Sequence, residues 1–188
     1  MAPDAVFTLD GHPDVQVARL TGTDVGRLQE LYEACADFTI LVDGEPPGPQ
    51  AAADDLAALP PGSRPDDKHV FGLVDATGRV VAMLEAIRDY PEPGTWWVGL
   101  MLVDPRRRRD GLGTAFSAAF ERWAADQGCR QVALGVVSAN AGGLSFWRRL
   151  GFTLDRTVEA QSFGRLTHDV HVLTKPVPGG TGESPAQA

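Results

Sequence analysis

Leu100 to Thr114 (LMLVDPRRRRDGLGT) concentrates the residue types best able to hold a charged ligand. An apolar run, Trp97 to Val103, ends at Asp104-Pro105; Arg106 to Arg109 follow, then Asp110-Gly111-Leu112-Gly113-Thr114 opens an amphipathic stretch. The order is strand, basic glycine loop, helix. N–H groups left unpaired at a helix start carry partial positive charge and suit a phosphate. Gly111 and Gly113 let a phosphate reach the backbone without meeting a Cβ, and arginines add bidentate donors. The spacing therefore predicts a polyphosphate-bearing ligand at the end of this strand. Taken alone, the arginines fit a solvated turn equally well.

The elements that would position this loop follow from hydrophobic periodicity. Val6 to Leu9 reads as a short strand before Asp10-Gly11, and Val15 to Leu20 as another. Thr21 or Thr23 caps a helix to about Ala36, with Leu28, Leu31, Tyr32 and Cys35 on one face. Phe38 to Pro49 contains Asp43-Gly44, Pro46-Pro47 and Pro49 and reads as a loop. Gln50 to Leu59 is a short Ala-rich helix stopped by Pro60-Pro61-Gly62. His69–Asp75 and Arg79–Arg88 form a hairpin about Ala76-Thr77-Gly78.

Thr95–Val103 is the strand before the loop. Gly99 within it marks a bulge or a close backbone approach. Gly111–Gln127 is a helix with Leu112, Ala115, Phe116, Ala119, Phe120 and Trp123 on one stripe, and Gly128 is its natural stop. Gln131–Val137 is apolar on both faces, as a buried central strand is. Asn140–Leu150 is a shorter helix. Gly151 to about Ala160 and Phe163–Leu173 are the closing strands. The chain thus reads as one domain over 1–175. The remainder, 176–188, has little to bury and is expected to be disordered.

Composition agrees with a soluble globular domain: 188 residues, 43% hydrophobic and 22% charged, with a formal net charge of −8. Such a balance disfavours nucleic acid as a partner and makes the arginine cluster a local exception. No apolar run is long enough to span a bilayer, and MAPDAVFTLD lacks a basic n-region, so no membrane partner is expected. Cys35 and Cys129 lie far apart with no CxxC or Cys/His cluster, which argues against a metal site and for reduced thiols in a cytoplasmic protein.

One helix and one strand beyond the glycine loop stands Val137-Ser-Ala-Asn140-Ala-Gly-Gly-Leu-Ser-Phe146-Trp147-Arg-Arg-Leu-Gly151-Phe152. The chain resembles the GCN5-related N-acetyltransferase (GNAT) superfamily through these two stretches. Arg108-Arg109-Asp110-Gly111-Leu112-Gly113 matches R-x-x-G-x-G/A, and Asn140, Gly143, Phe146, Trp147 and Gly151-Phe152 match its later motif. The resemblance covers about residues 68–174. It implies an α/β fold: a mixed, mostly antiparallel sheet with a splayed strand pair and helices on both faces. It also implies acetyl-CoA as cosubstrate. The pyrophosphate would sit on the N–H groups of Arg109, Asp110, Gly111, Leu112, Gly113 and Thr114, next to Arg108. The pantetheine arm would add like a strand to Met101, Leu102 and Val103, where this strand splays from Gln131–Val137. Asn140 would bond the arm or cap its helix. Phe146 and Trp147 would wall the thioester or pack the core. Arg106 and Arg107 would reach the 3′-phosphate or be solvated.

In this family a neutral amine attacks the thioester directly. A backbone N–H near Leu102 would polarise the carbonyl, and a base must take the ammonium proton. The sequence departs from the family pattern twice. Trp147 stands where many members carry an acidic tyrosine, and Gly135 where some carry a glutamate base. Glu85, in the otherwise apolar run VVAMLEAIRDY, is the candidate base; a carboxyl there has a raised pKa, unless it faces solvent. Asp37 and Asp43 are candidates to bind a cationic amine, and Tyr32, Tyr90, His168 and His171 are secondary ones. The expected activity is acetyl transfer to a primary amine of a small molecule. The alternatives are a protein lysine or N-terminal acceptor, or a silent acyl-CoA-binding module. A homodimer is left open.

Overall fold

Seven strands form one sheet in the order β1-β2-β3-β4-β5-β7-β6. The computed structural model describes residues 6–178. β1 (Val15–Arg19) is followed by α1 (Val25–Ala34), α2 (Ala36–Asp43) and α3 (Ala51–Ala57). β2 (Lys68–Asp75), β3 (Val80–Ile87) and β4 (Thr95–Val103) form a meander. Then come α4 (Leu112–Asp126), β5 (Gln131–Val137), α5 (Ala141–Arg149), and a closing hairpin of β6 (Thr153–Phe163) and β7 (Leu166–Pro176). All pairings are antiparallel except β4 with β5.

The sheet is covered on both sides. Every residue of β3 is buried. From Ala82 on, its even positions, Ala82, Leu84 and Ala86, join Leu112, Phe116, Phe120 and Ala124 of α4 in the larger core. Met83 packs instead with Leu28, Leu31 and Tyr32 of α1 and Ala52 of α3. A strand alternates its side chains between faces, so the odd position Glu85 is aimed into the α1–α3 layer.

Three expectations are corrected. Residues 6–9 form no strand; Val6, Phe7 and Leu9 pack as irregular chain on the larger core, with Phe7 edge-on to Phe71 at 5.2 Å. Phe38–Asp43 is helical rather than loop. The chain bends at Cys35 and resumes as α2, which ends on Gly44 in the left-handed conformation (φ 83°) that a glycine adopts without strain. The proline-rich loop starts only after it. At the other end, β7 runs to Pro176, and the N–H of buried Val177 donates to the Arg130 carbonyl at 2.9 Å. The rest of the expected tail, from 179 on, lies outside the described residues.

Candidate active site

β4 and β5 pair only from Thr95↔Gln131 to Val98↔Leu134. Beyond that the strands separate, and the β4 edge from Gly99 to Val103 has no partner on the β5 side. The separation begins at a bulge: Ala86 pairs with Val98 but Glu85 with Leu100, so Gly99 is the extra residue. A bulge bends its strand and ends pairing. The exposed glycine therefore stands where the sheet opens.

The loop after β4 is built on Asp104, which is 2% exposed. Its carboxylate accepts from the Arg106 backbone N–H (2.9 Å) and receives the Arg106 guanidinium at 3.0 and 2.6 Å. Arg106 therefore holds the Asp104 carboxyl below its ordinary range. Arg107 pairs with Asp14 at 2.7 Å. Arg108 donates from Nε to the Val103 carbonyl (2.9 Å) and from both terminal nitrogens to Asp37. Arg106 thus braces the loop from within, Arg107 and Arg108 clamp it to the body, and neither Arg106 nor Arg107 is merely solvated. Arg109 has no ion-pair partner among the described residues. Its φ of 72° is a costly value for a non-glycine residue, a kind of backbone strain that clusters at ligand clamps. Gly111 follows at φ 78°. This turn delivers the chain into α4, whose N-terminus has no side-chain cap. Its first N–H groups are left for a ligand.

Gly113 sits on the next turn. A Cβ there would lie 3.5 Å from both Met101 Cε and Phe146 Cζ, so β4, α4 and α5 converge at this glycine. Asn140 caps α5, its Oδ1 accepting from the Gly143 N–H at 2.8 Å, with the amide nitrogen still available. Phe146 is half-buried, edge-on to Trp147 at 4.9 Å, and Trp147 packs on Phe152 at 5.1 Å. Trp147 is therefore a buried core residue, with Phe146 between it and the opening.

On the α1–α3 face, Glu85 lies under the bulge. A Cβ on Gly99 would come within 2.9 Å of Glu85 Oε1, so only the absence of a side chain at 99 leaves that oxygen facing the gap. Oε2 sits 2.8 Å from Lys68 Nζ, outside hydrogen-bonding alignment. The Lys68 ammonium donates to the Asp55 and Ala58 carbonyls at the end of α3. The Asp55 carboxylate accepts from the Tyr32 hydroxyl at 2.7 Å. Burial, assisted by the Asp55 charge, pushes the Glu85 carboxyl up to about 7 while Lys68 pulls it down. Burial also raises the Tyr32 phenol.

Asp37 is tied to Arg108, which lowers its proton affinity. Asp43 stands at the far end of α2, where its carbonyl accepts from the Arg165 N–H (2.7 Å) and Gly164 packs against it. His168 Nε2 lies 2.9 Å from the Val42 carbonyl, so the β6–β7 tip is bonded to α2 across the gap between β4 and β5. Among the described residues neither aspartate touches Glu85. Gly135 faces Val170 Cγ1 and the Trp97 ring, which a Cβ would meet at 3.0 and 3.5 Å. The tight neighbour of position 135 is the Val170 methyl group of β7, with the Trp97 ring at ordinary contact distance beyond it. Lys68, Asp55 and Trp97 escaped the reading of the sequence. Lys68 left a signal in retrospect: Val70 pairs with Glu85, so Lys68 is its diagonal neighbour on the same face. Asp55 comes from a separate helix and left none.

The acetyltransferase (GNAT) family profile matches residues 28–152 of this sequence. The chain belongs to the GNAT acetyltransferase family. Mycothiol acetyltransferase of Amycolatopsis mediterranei (strain U-32) is 33% identical over 97 residues, 48% of this chain and 32% of that protein. The chain therefore aligns with about a third of that relative's length. Among solved structures, the ribosomal-protein-S18-alanine N-acetyltransferase of Escherichia coli matches with a TM-score of 0.69 at 17% identity, covering 92% of this chain and 99% of that one. An acetyltransferase from Thermus thermophilus matches with a TM-score of 0.67 at 24% identity, covering 86% and 96%. These likenesses establish the fold: a mixed sheet, mostly antiparallel, with one parallel pair and helices on both faces. Among the described residues no helix is long and apolar enough to cross a membrane, and no cluster of three or more His, Cys, Asp or Glu could hold a metal ion.

Proposed function

We propose that this GNAT-family protein transfers an acetyl group from acetyl-CoA to the primary amine of a small acceptor. One observation carries the reading: the unpaired β4 edge at Met101–Val103 runs directly into a strained turn and an uncapped helix start. An amide-bearing arm attached to a pyrophosphate matches that sequence of groups in order. The arm pairs with the strand edge and the Asn140 amide nitrogen. The pyrophosphate takes the N–H groups of Arg109 to Thr114, where the glycines leave room. Phe146 keeps water from the gap.

The chemistry falls to the α1–α3 face. A backbone N–H near Leu102 polarises the thioester carbonyl. Glu85 Oε1, open over Gly99, takes a proton from the acceptor ammonium, directly or through one water; the N–H bond breaks and its electron pair becomes the nucleophile. Nitrogen attacks the carbonyl carbon, the C–S bond breaks, and the thiolate leaves. Of the two protons the ammonium gives up, one ends on the thiolate and one in solvent. Solvent supplies the thiolate, since Trp147 has no acidic proton to give. Holding the reactants together does the remainder.

A small acceptor fits the bonded contact between α2 and the β6–β7 tip, which bars an extended peptide from lying across the gap. The relative from Amycolatopsis is named for mycothiol rather than for a protein substrate. The acidic balance of the chain points the same way. The test is thiol release from acetyl-CoA over a panel of small amines, with the acetylated product weighed by mass spectrometry. Amine-dependent release supports the proposal. Tight CoA binding without release for any amine would make the protein a binding module instead.

A further inference from the structure

We propose that Lys68 and Asp55 are opposed positioning residues for Glu85: Lys68 holds the carboxylate with Oε1 over Gly99, and Asp55, whose carbonyl takes the same ammonium and whose carboxylate is held by Tyr32, is the opposing charge of the cluster. This rests on the reading of Glu85 as the base. The side chains of Lys68 and Glu85 are only 6% and 11% exposed, so neither ammonium nor carboxylate is there for solubility. A buried charge is tolerated only when paired and bonded. Lys68 is fully employed, with Glu85 Oε2 at 2.8 Å, the Ala58 carbonyl at 2.8 Å and the Asp55 carbonyl. It thereby ties the end of α3 to the middle of β3. With Oε2 buried against the ammonium in an ion pair, Oε1 is the oxygen turned toward Gly99.

Asp55 acts in the opposite sense. It stands half-buried on α3, and the Tyr32 hydroxyl holds its carboxylate at 2.7 Å. The charged and titratable groups that face Glu85 are Lys68 from β2, Asp55 from α3 and Tyr32 from α1; β4 contributes the uncharged Gly99. A nearby carboxylate raises the proton affinity of Glu85 and the ammonium lowers it. Burial raises that affinity most, and the two partners adjust the rise in opposite directions, so that Glu85 titrates near neutrality, where a base can both take and release a proton.

Removing either partner should therefore move Glu85 in a direction that the other reverses. The experiment uses Lys68→Met and Asp55→Asn in the full chain. Glu85 is followed by carbon NMR of its carboxyl in the unliganded protein, and kcat/KM is followed against pH with acetyl-CoA and the best amine of the panel. Asp55→Asn should carry the carboxyl titration and the acid limb of the rate profile to lower pH by about 1 unit, and Lys68→Met should carry both to higher pH by at least as much. CoA affinity should stay within about twofold of wild type in both, since neither residue touches the cofactor side. Lys68→Arg, which keeps charge and donors, should restore most of the wild-type limb. A carboxyl titration that stays put in both variants, or moves the same way in both, overturns the proposal. Opposite movements of the carboxyl that the acid limb ignores would instead remove Glu85 as base, leaving the transferase reading to the thiol-release assay.

Discussion

The two sides of the gap between β4 and β5 are built from different materials. The side proposed for the cofactor is backbone: an unpaired strand edge, a strained turn at Arg109, and uncapped N–H groups of α4, with side chains serving mainly to clamp the loop. The side proposed for the acceptor is side chain: Glu85, Lys68, Asp55 and Tyr32 come from four separate elements and meet only in the folded protein. Backbone geometry follows from a short local pattern of glycines and a helix start. Side-chain constellations follow from register and packing. A fold made this way can keep one cosubstrate while its chemistry is rebuilt around it.

The largest effect expected from breaking this division is on the backbone side. Gly113→Val is expected to fold, because a Cβ at this position meets Met101 and Phe146 only at ordinary contact distance, 3.5 Å, a point that a melting curve checks before titration. The substitution should crowd the space proposed for the pyrophosphate. Losing two charge-assisted hydrogen bonds to phosphate should weaken CoA roughly 10²-fold or more, read by calorimetric titration. An unchanged affinity in a folded variant would take the loop out of the binding site.

A smaller effect sharpens the contrast between the faces of the β2–β3 hairpin. Buried His69 stacks on Trp96 at 5.0 Å and lies on the face opposite Glu85. Burial, helped by Arg19 and Arg88, pushes its imidazole down to about 4 from 6.5. Its stability contribution is therefore complete above about pH 6.5 and is lost as pH falls toward 4. Glu85 is displaced the other way, to about 7 from 4.5, so its contribution is complete below about pH 4.5 and is lost as pH rises through 7. Between these limits the two slopes oppose, each at most about 1.4 kcal/mol per pH unit. Relative to wild type, Glu85→Gln should gain roughly 2 kcal/mol of stability on going from pH 4.5 to 6.5, and His69→Phe should lose a similar amount. Urea melts at the two pH values measure this. Two variants that both track the wild-type profile would show that neither group is displaced as described.

How much could be read beforehand follows the same division. The strands from Val15 onward, α4 and α5 were legible because their apolar residues recur at one period, and the splay was implied by the family resemblance. The glycine loop was legible as a local pattern, although the sequence could not show that Asp104, Asp14 and Asp37 engage Arg106, Arg107 and Arg108. Helix α2 was missed because Ala-Asp-Phe-Thr-Ile-Leu-Val-Asp has weak helix formers and borders a proline-rich stretch, and packing decided it. Glu85 stood out as one carboxyl in an apolar run, yet its orientation depends on a bulge one strand away. The glycine at 135 is matched to its neighbours, the Val170 methyl of β7 and the Trp97 ring of β4, neither of which the sequence could place beside it.

The central claim is that binding belongs to the backbone side and proton transfer to Glu85. Glu85→Gln tests it most directly when turnover and acetyl-CoA affinity are measured on the same preparation at neutral pH. The expected result is a fall in turnover of roughly 10²-fold or more with CoA affinity nearly unchanged, and a deficit that shrinks as pH rises and the acceptor loses its proton unaided. Full activity in the variant, or a loss of turnover that runs parallel with a loss of CoA affinity, would contradict it.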